Sequence, residues 1–227
     1  MKYLYLLLAL ASFGAGAADP GSQYQQQAEA GDPRAQFYLA DTWVSSGNYQ
    51  QAEFWAQKAA AQGDGDALAL LAQLKIRDPQ QADYQQARQL AEQSVQVGSK
   101  AGEIILARVL VNQQAGPTDY AHAIRLLQDA AKDEESDSAV DAQMLLGLIY
   151  ASGVLPPGDD LKAAQYFKGS SALSRTGYAE YWAGMMFQQG EKGFIDPNPQ
   201  KALHWLNVSC QEGFDTGCEE FDKITKG

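Results

Sequence analysis

Apolar side chains return along this chain with a helical period, most clearly in Ala142–Ser171. There Leu145, Leu146, Ile149 and Tyr150 recur at helical spacing, a Pro/Gly-rich turn follows, and a second helical stretch runs from Leu161 to Ser171. Small residues at Ala142, Gly147, Ala163, Ser170 and Ser171 let the two helices approach closely. The pattern predicts a helical hairpin, and the chain writes it five times. Such a unit cannot bury its apolar faces alone, so copies of it must stack.

Aligned on that unit, the first helices carry two small residues five apart: Ala35/Ala40, Ala67/Ala72, Gly102/Ala107, Ala142/Gly147 and Ala179/Gly184. Leu39, Leu71, Leu106, Leu146 and Ala183 stand just before the second small residue. Trp43, Lys75, Leu110, Tyr150 and Phe187 stand three after it, so only the second repeat lacks a bulky apolar residue there. In the second helices Ala52, Ala87, Ala123, Ala163 and Ala202 are followed at the third position by Trp55, Leu90, Leu126, Tyr166 and Trp205. The pairs Ala59-Ala60, Ala130-Ala131, Ser170-Ser171 and Ser209-Cys210 close these helices, with Ser94-Val95 a looser version. Successive second-helix alanines lie 35, 36, 40 and 39 residues apart, within the range of helical hairpin repeats.

These columns resemble the Sel1-like repeat family, a relative of the tetratricopeptide repeats. Its pattern, Ala-Gln-Tyr-x-Leu-Gly-x-x-Tyr-x-x-Gly, then a Gly/Asp loop and Lys-Ala-x-x-Trp-Tyr-x-x-Ala-Ala-x-x-Gly, is matched from Ala35 (AQFYLADTW), from Ala142 (AQMLLGLIYASG) and from Lys201 (KALHW). The resemblance covers nearly everything after residue 20. It implies an all-α fold, a right-handed α-solenoid of about five Sel1-like helical hairpin repeats with N- and C-terminal capping helices. The repeats are expected at about 34–63, 66–98, 101–132, 139–174 and 177–213, in a single solenoid over 24–227. A helix over Tyr24–Ala30, stopped by Gly31-Asp32-Pro33, would cap one end, and a lone helix over Thr216–Ile224 the other. Val154–Asp160 and Glu191–Pro199 read as long turns within hairpins.

At the N-terminus Lys2 precedes an apolar run from Tyr3 to Phe13, too short for the roughly 20 residues of a membrane span, and Ala15-Gly16-Ala17 supplies small-x-small spacing. Residues 1–17 therefore read as a cleaved secretory signal, and 18–23 as a short mobile lead. No cysteine follows the run for lipid attachment, and no later apolar span provides a membrane anchor. The expected location is the periplasm. The formal net charge is −11, and removing Lys2 leaves 16 basic against 28 acidic side chains. A surface of that sign repels phosphate backbones and anionic headgroups, so nucleic acid and membrane surfaces are not expected partners.

Catalytic and metal-binding patterns are absent from the sequence. His122 and His204 fall two repeats apart in mostly polar columns, and neither belongs to a His-Glu-x-x-His helix. There is no Ser-x-x-Lys, no Gly-x-Ser-x-Gly and no Walker loop. No cofactor and no metal are expected. The link Lys132–Asp141 carries Asp133, Glu134, Glu135, Asp137 and Asp141, read as a solvated acidic turn with a docking site for a basic partner or cation as the alternative. Cys210 and Cys218 flank the turn at Gly213 between the last repeat and the capping helix. In secreted cysteine-rich relatives of the family the same spacing bridges adjacent helices, so the resemblance implies a disulfide; two reduced, buried thiols are the alternative.

The function expected from this architecture is non-catalytic: a periplasmic adaptor that binds a protein or peptide in its concave groove. The alternative is a cell-wall or β-lactam-type ligand binder or weak hydrolase, which the family resemblance suggests. Outside the core columns each first helix leaves a stripe: Tyr38, Asp41, Thr42, Ser45; Leu70, Gln73, Leu74, Arg77; Ile105, Arg108, Val109, Asn112; Leu145, Leu148, Ile149, Ser152; and Trp182, Met185, Met186, Gln189. Tyr38, Asp41, Gln73, Arg108, Leu148, Trp182 and Met185 are the expected contact residues, because Trp, Tyr, Met and Arg anchor interfaces and Met adapts to varied partners.

Overall fold

The computed structural model describes residues 22–78, 80–132, 136–155, 159–173 and 176–226. The expected signal segment 1–17, the lead up to Gly21, the acidic trio Asp133, Glu134 and Glu135, and the turn Pro156-Pro157-Gly158 lie outside the described residues. Helix α1 (Ser22–Glu29) is followed by the hairpins α2 and α3 (Pro33–Ser45, Tyr49–Ala60) and α4 and α5 (Gly65–Ile76, Tyr84–Gln96), by the helices α6 (Lys100–Val111) and α7 (Tyr120–Ala130) of the third repeat, and by the hairpins α8 and α9 (Asp137–Ser152, Asp160–Leu173) and α10 and α11 (Tyr178–Gln189, Pro199–Gln211). Helix α12 (Asp215–Lys226) ends the chain, and a 3-10 turn (Gln113–Ala115) lies between α6 and α7. The chain divides into two compact units, one ending at Val109 and the other beginning at Leu110.

Every second helix begins the same way. The side-chain oxygen of Asn48, Asp83, Asp119, Asp159 or Asn198 accepts the backbone N–H three residues on, at 2.8 to 3.3 Å. This satisfies a donor that the helix itself leaves without a partner. The same five residues donate their own N–H to the carbonyls of Trp43, Lys75, Leu110, Tyr150 and Phe187, the bulky column of the first helices. The turn is therefore clamped through backbone at that column. Lys75 can stand there because its carbonyl makes the clamp while its ammonium pairs with Glu53 at 2.6 Å.

The closing small residues of the second helices have a second role in three hairpins. Ser94, Ser170 and Ser209 donate their hydroxyls to the carbonyls of Gly65, Val140 and Gly177, at 2.6, 2.9 and 2.6 Å. Each bond ties the end of a second helix to the start of its first helix. At Gly177, with φ +78°, a Cβ would lie 2.8 Å from the Ser209 carbonyl oxygen, so the close approach requires glycine.

The core also uses a second-helix column four residues after the alanine. Ala56, Ala91, Leu127, Phe167 and Leu206 are all fully buried, whereas at the third position Leu90, Leu126 and Tyr166 are only half-buried. The size of this residue is matched across the hairpin. A Cβ on Gly147 would sit 2.5 Å from Phe167 Cδ1, and one on Gly184 would sit 2.6 Å from Leu206 Cγ. In the first two hairpins alanine occupies both positions, Ala40 with Ala56 and Ala72 with Ala91, and all four are buried.

Two expectations need correction. Helix α1 begins at Ser22, so Ser22 and Gln23 are helical rather than part of the lead. Helix α8 begins at Asp137, capped by the Ser136 hydroxyl, so Asp137 and Asp141 belong to a helix and not to a solvated link. Acidic residues suit a helix N-terminus, where the helix dipole is positive. The long turn after α10 is a built element: Glu191 pairs with Ile195, Phe194 and Ile195 are buried, and the carbonyls of Lys192 and Gly193 accept from Asn112 Nδ2 (3.1 Å) and from the N–H of Gln113 (2.8 Å).

Cys210 and Cys218 form a disulfide between α11 and α12. On the chain-entropy account a cross-link closing so short a loop stabilises the fold by about 2.5 kcal/mol. Replacing both cysteines by serine should therefore loosen α12 first, since neighbouring repeats carry most of each other's stability. Amide exchange should show faster exchange in Asp215–Lys226 while α8 and α9 keep their protection; uniform loss across the chain would contradict a local tether.

Candidate functional site

The expected contact residues divide between the two units, Tyr38, Asp41, Gln73 and Arg108 in the first and Leu148, Trp182 and Met185 in the second. In the first unit the start of α2 is set by Asp32, whose carboxylate accepts the N–H of Ala35 at 2.7 Å, with Pro33 in the first helical turn. The buried face of α2 carries Ala35, Gln36, Leu39, Ala40 and Val44. Tyr38 is turned away from that face and is 37% exposed. Its ring stacks on Tyr24 of α1 at 5.0 Å, and the Arg34 guanidinium lies 4.9 Å from the ring centroid. Arg34 is held in turn by Asp66 at 2.6 Å and Asp64 at 3.6 Å. The result is an aromatic ledge braced by an ion pair.

Asp41 follows Tyr38 by one helical turn and is half-buried. Among the described residues no cation and no hydrogen-bond donor meets its carboxyl group, and burial pushes its pKa above the ordinary carboxylate value. Other acidic groups of this unit are matched: Glu53 by Lys75, Asp64 and Asp66 by Arg34, Glu92 by Arg88. Gln73 and Arg108 are half-buried, and Arg77 places its guanidinium 3.7 Å from the Tyr49 ring centroid.

In the second unit the expectation for Leu148 is overturned: it is 2% exposed and part of the core. Helix α8 is packed on more of its circumference than a single stripe allows, with Met144 through Ala151 buried without a break. Leu145 and Ile149 are buried with it, as are Leu70, Ile105 and Val109 in the other first helices. Trp182, Met185 and Met186 on α10 are half-buried. Trp182 meets Tyr178 and Tyr181 edge to face at 6.0 and 5.5 Å, and both tyrosines also contact Phe214 at 5.9 and 5.4 Å. The indole N–H of Trp182 is buried without a hydrogen-bond partner among the described residues, as is that of Trp43. An unpaired buried donor costs free energy, and the core residue Trp205 carries one too.

His204 is exposed with its ring edge on Trp205, and His122 is half-buried in the first turn of α7. No sequence signal marked Asp41 as lacking a counter-charge or Trp182 as lacking an acceptor. Both properties depend on which neighbours the stacked hairpins supply.

Comparison with known proteins bears on what such a surface does. The Sel1 repeat family matches residues 33–64, 106–133, 140–173 and 177–214. The second hairpin, the one with Lys75 in the bulky column, falls outside those segments. The Sel1-repeat-containing protein YjcO of Escherichia coli (strain K12) is 64% identical over 229 residues, spanning 100% of both chains. A crystal structure of a Sel1 repeat protein from Klebsiella pneumoniae subsp. pneumoniae is 84% identical with a TM-score of 0.89, over 91% of this chain and 99% of that one. A Sel1 repeat protein from Oxalobacter formigenes shares the fold at 23% identity and a TM-score of 0.52, over 84% of this chain and 78% of that one.

Proposed function

Because the chain belongs to the Sel1 repeat family, we propose that it is a non-catalytic interaction module of the periplasm that holds a protein or peptide on its first-helix faces. The observation that carries this reading is the pair of half-open faces: the Tyr38 ledge with Asp41 on α2, and Trp182 with Met185 on α10. Tetratricopeptide-like helical repeats generally serve protein association, and aromatic and methionine side chains left partly exposed are the types that anchor it. Lys2, the short apolar run and Ala15-Gly16-Ala17 support export. The acidic surface disfavours nucleic acid and anionic lipid as partners.

The test is crosslinking in intact cells, with capture of the protein from osmotic-shock fluid, identification of its N-terminus and mass identification of what is attached. The expected result is a chain beginning at Ala18 or Asp19 bound to a defined protein. Replacing Trp182 and Met185 by alanine should reduce capture about tenfold or more with a small change in melting temperature. A large fall in melting temperature would make both residues structural. Full-length chain confined to the cytosol would end the periplasmic reading.

A further inference from the structure

We propose that the α2 face at Tyr38 and Asp41 receives a basic segment of the partner polypeptide, with Asp41 accepting a lysine or arginine side chain. This deepens the interaction reading and rests on it. The argument starts from charge. Twenty-eight acidic side chains against 17 basic ones give the chain a strongly negative field, which raises the local concentration of cationic segments before contact. A field alone selects no place on the surface. Asp41 does, because among the described residues it is the half-buried carboxylate on this face that meets no counter-charge or donor, while Arg34 is already occupied by Asp64 and Asp66, and Lys75 by Glu53.

Burying a carboxylate without a partner destabilises the folded chain unless something else repays it. The same burial raises its pKa above the ordinary carboxylate value. An arriving ammonium or guanidinium would find a carboxylate already stripped of part of its water, so less desolvation remains to oppose the ion pair. The neighbouring Tyr38 ring is 37% exposed and lies on the same side of α2, three residues before Asp41. With Tyr24 stacked on it and Arg34 beside it, its exposed part offers an apolar surface for the methylene stem of the same side chain. Arg34, held 4.9 Å from that ring centroid, fixes the ring in place. A carboxylate beside a braced aromatic ring matches a basic side chain in both charge and shape.

The experiment uses the full mature chain and two labelled twelve-residue peptides that differ only in whether their lysines are free or acetylated, which removes the cation and keeps the stem. Fluorescence anisotropy should show the free-lysine peptide binding at least about tenfold more tightly. Asp41→Asn should remove about tenfold of that affinity. Asp215→Asn, at an exposed carboxylate on α12, should leave it within about twofold. Because no described residue partners Asp41, Asp41→Asn should also keep or raise the melting temperature, and Asp41→Ser should behave alike. Equal binding of both peptides, equal losses for the two Asn variants, or a melting temperature lowered by Asp41→Asn would each overturn the assignment. Crosslinking in cells separates this from the broader reading. A partner still captured by Asp41→Asn at wild-type yield would retain the interaction module and reject Asp41 as its anchor, whereas a wild-type chain that captures nothing would remove the module itself.

Discussion

Replacing Gly147 by alanine should destabilise the protein by about 1 to 3 kcal/mol, although alanine is the better helix former by about 1 kcal/mol. The new methyl carbon would lie 2.5 Å from Phe167 Cδ1 and 2.9 Å from Cζ, inside the van der Waals contact of a ring that is itself fully buried. Phe167 has little room to give way, because it is fully buried and packed against Trp205, the two rings meeting nearly at right angles at 4.8 Å. Phe167→Ala alone should cost about 3 to 5 kcal/mol through the cavity it leaves. The informative variant carries both changes. It reproduces the alanine pair that Ala40 and Ala56 form in the first hairpin, so its loss of stability should fall short of the sum of the single losses by more than about 1 kcal/mol. Chemical denaturation of the four proteins measures the coupling. Strict additivity would mean that the two positions do not compete for the same space, and Gly184 with Leu206 would then need another explanation too.

That pairing shows where sequence reading reached and where it stopped. The hairpins were legible because small residues at fixed intervals are the requirement of helices in contact, whereas the side chains that cap each second helix, such as Asn48 and Asp119, emerge from the structure. The match between Gly147 and Phe167 was not legible, since it links two columns that belong to different helices and whose sizes vary in opposite senses. The same holds for the turn after α10. Phe194 and Ile195 look like loop residues by position, and only their burial and the bonds from Asn112 and Gln113 to Lys192 and Gly193 show a docked element. At the candidate site the stripe of first-helix positions grouped the part-exposed Tyr38 and the half-buried Asp41 and Trp182 with Leu148, which is in the core. Periodicity along one helix cannot say how many neighbours surround it, and α8 is enclosed widely enough to bury Leu148, Ile149 and Leu145 together.

The acidic start of α8 leads to the largest effect expected of a single polar substitution. Asp141 has its pKa pushed up to about 8, first by burial and then by the like charge of Asp137 one turn earlier. In the unfolded chain the same group titrates near 3.8. The folded state therefore holds its proton more tightly than the unfolded state, so stability from this group is complete below about pH 4 and is lost as the pH rises toward 8, where the carboxylate must ionise in place. At about 1.4 kcal/mol per pH unit, the cost at pH 7 is on the order of 4 kcal/mol. Asp141→Asn removes the titration and keeps the shape. Its stability should match that of the parent near pH 4 and exceed it increasingly from pH 5 to pH 8, with the difference level above that. Comparing the two proteins by denaturant unfolding at each pH cancels the carboxylates remote from Asp141 and leaves Asp141 with its coupling to Asp137. A difference that stays flat across that range would mean the carboxyl is solvated, and the first turn of α8 would then be the acidic surface that the sequence alone suggests.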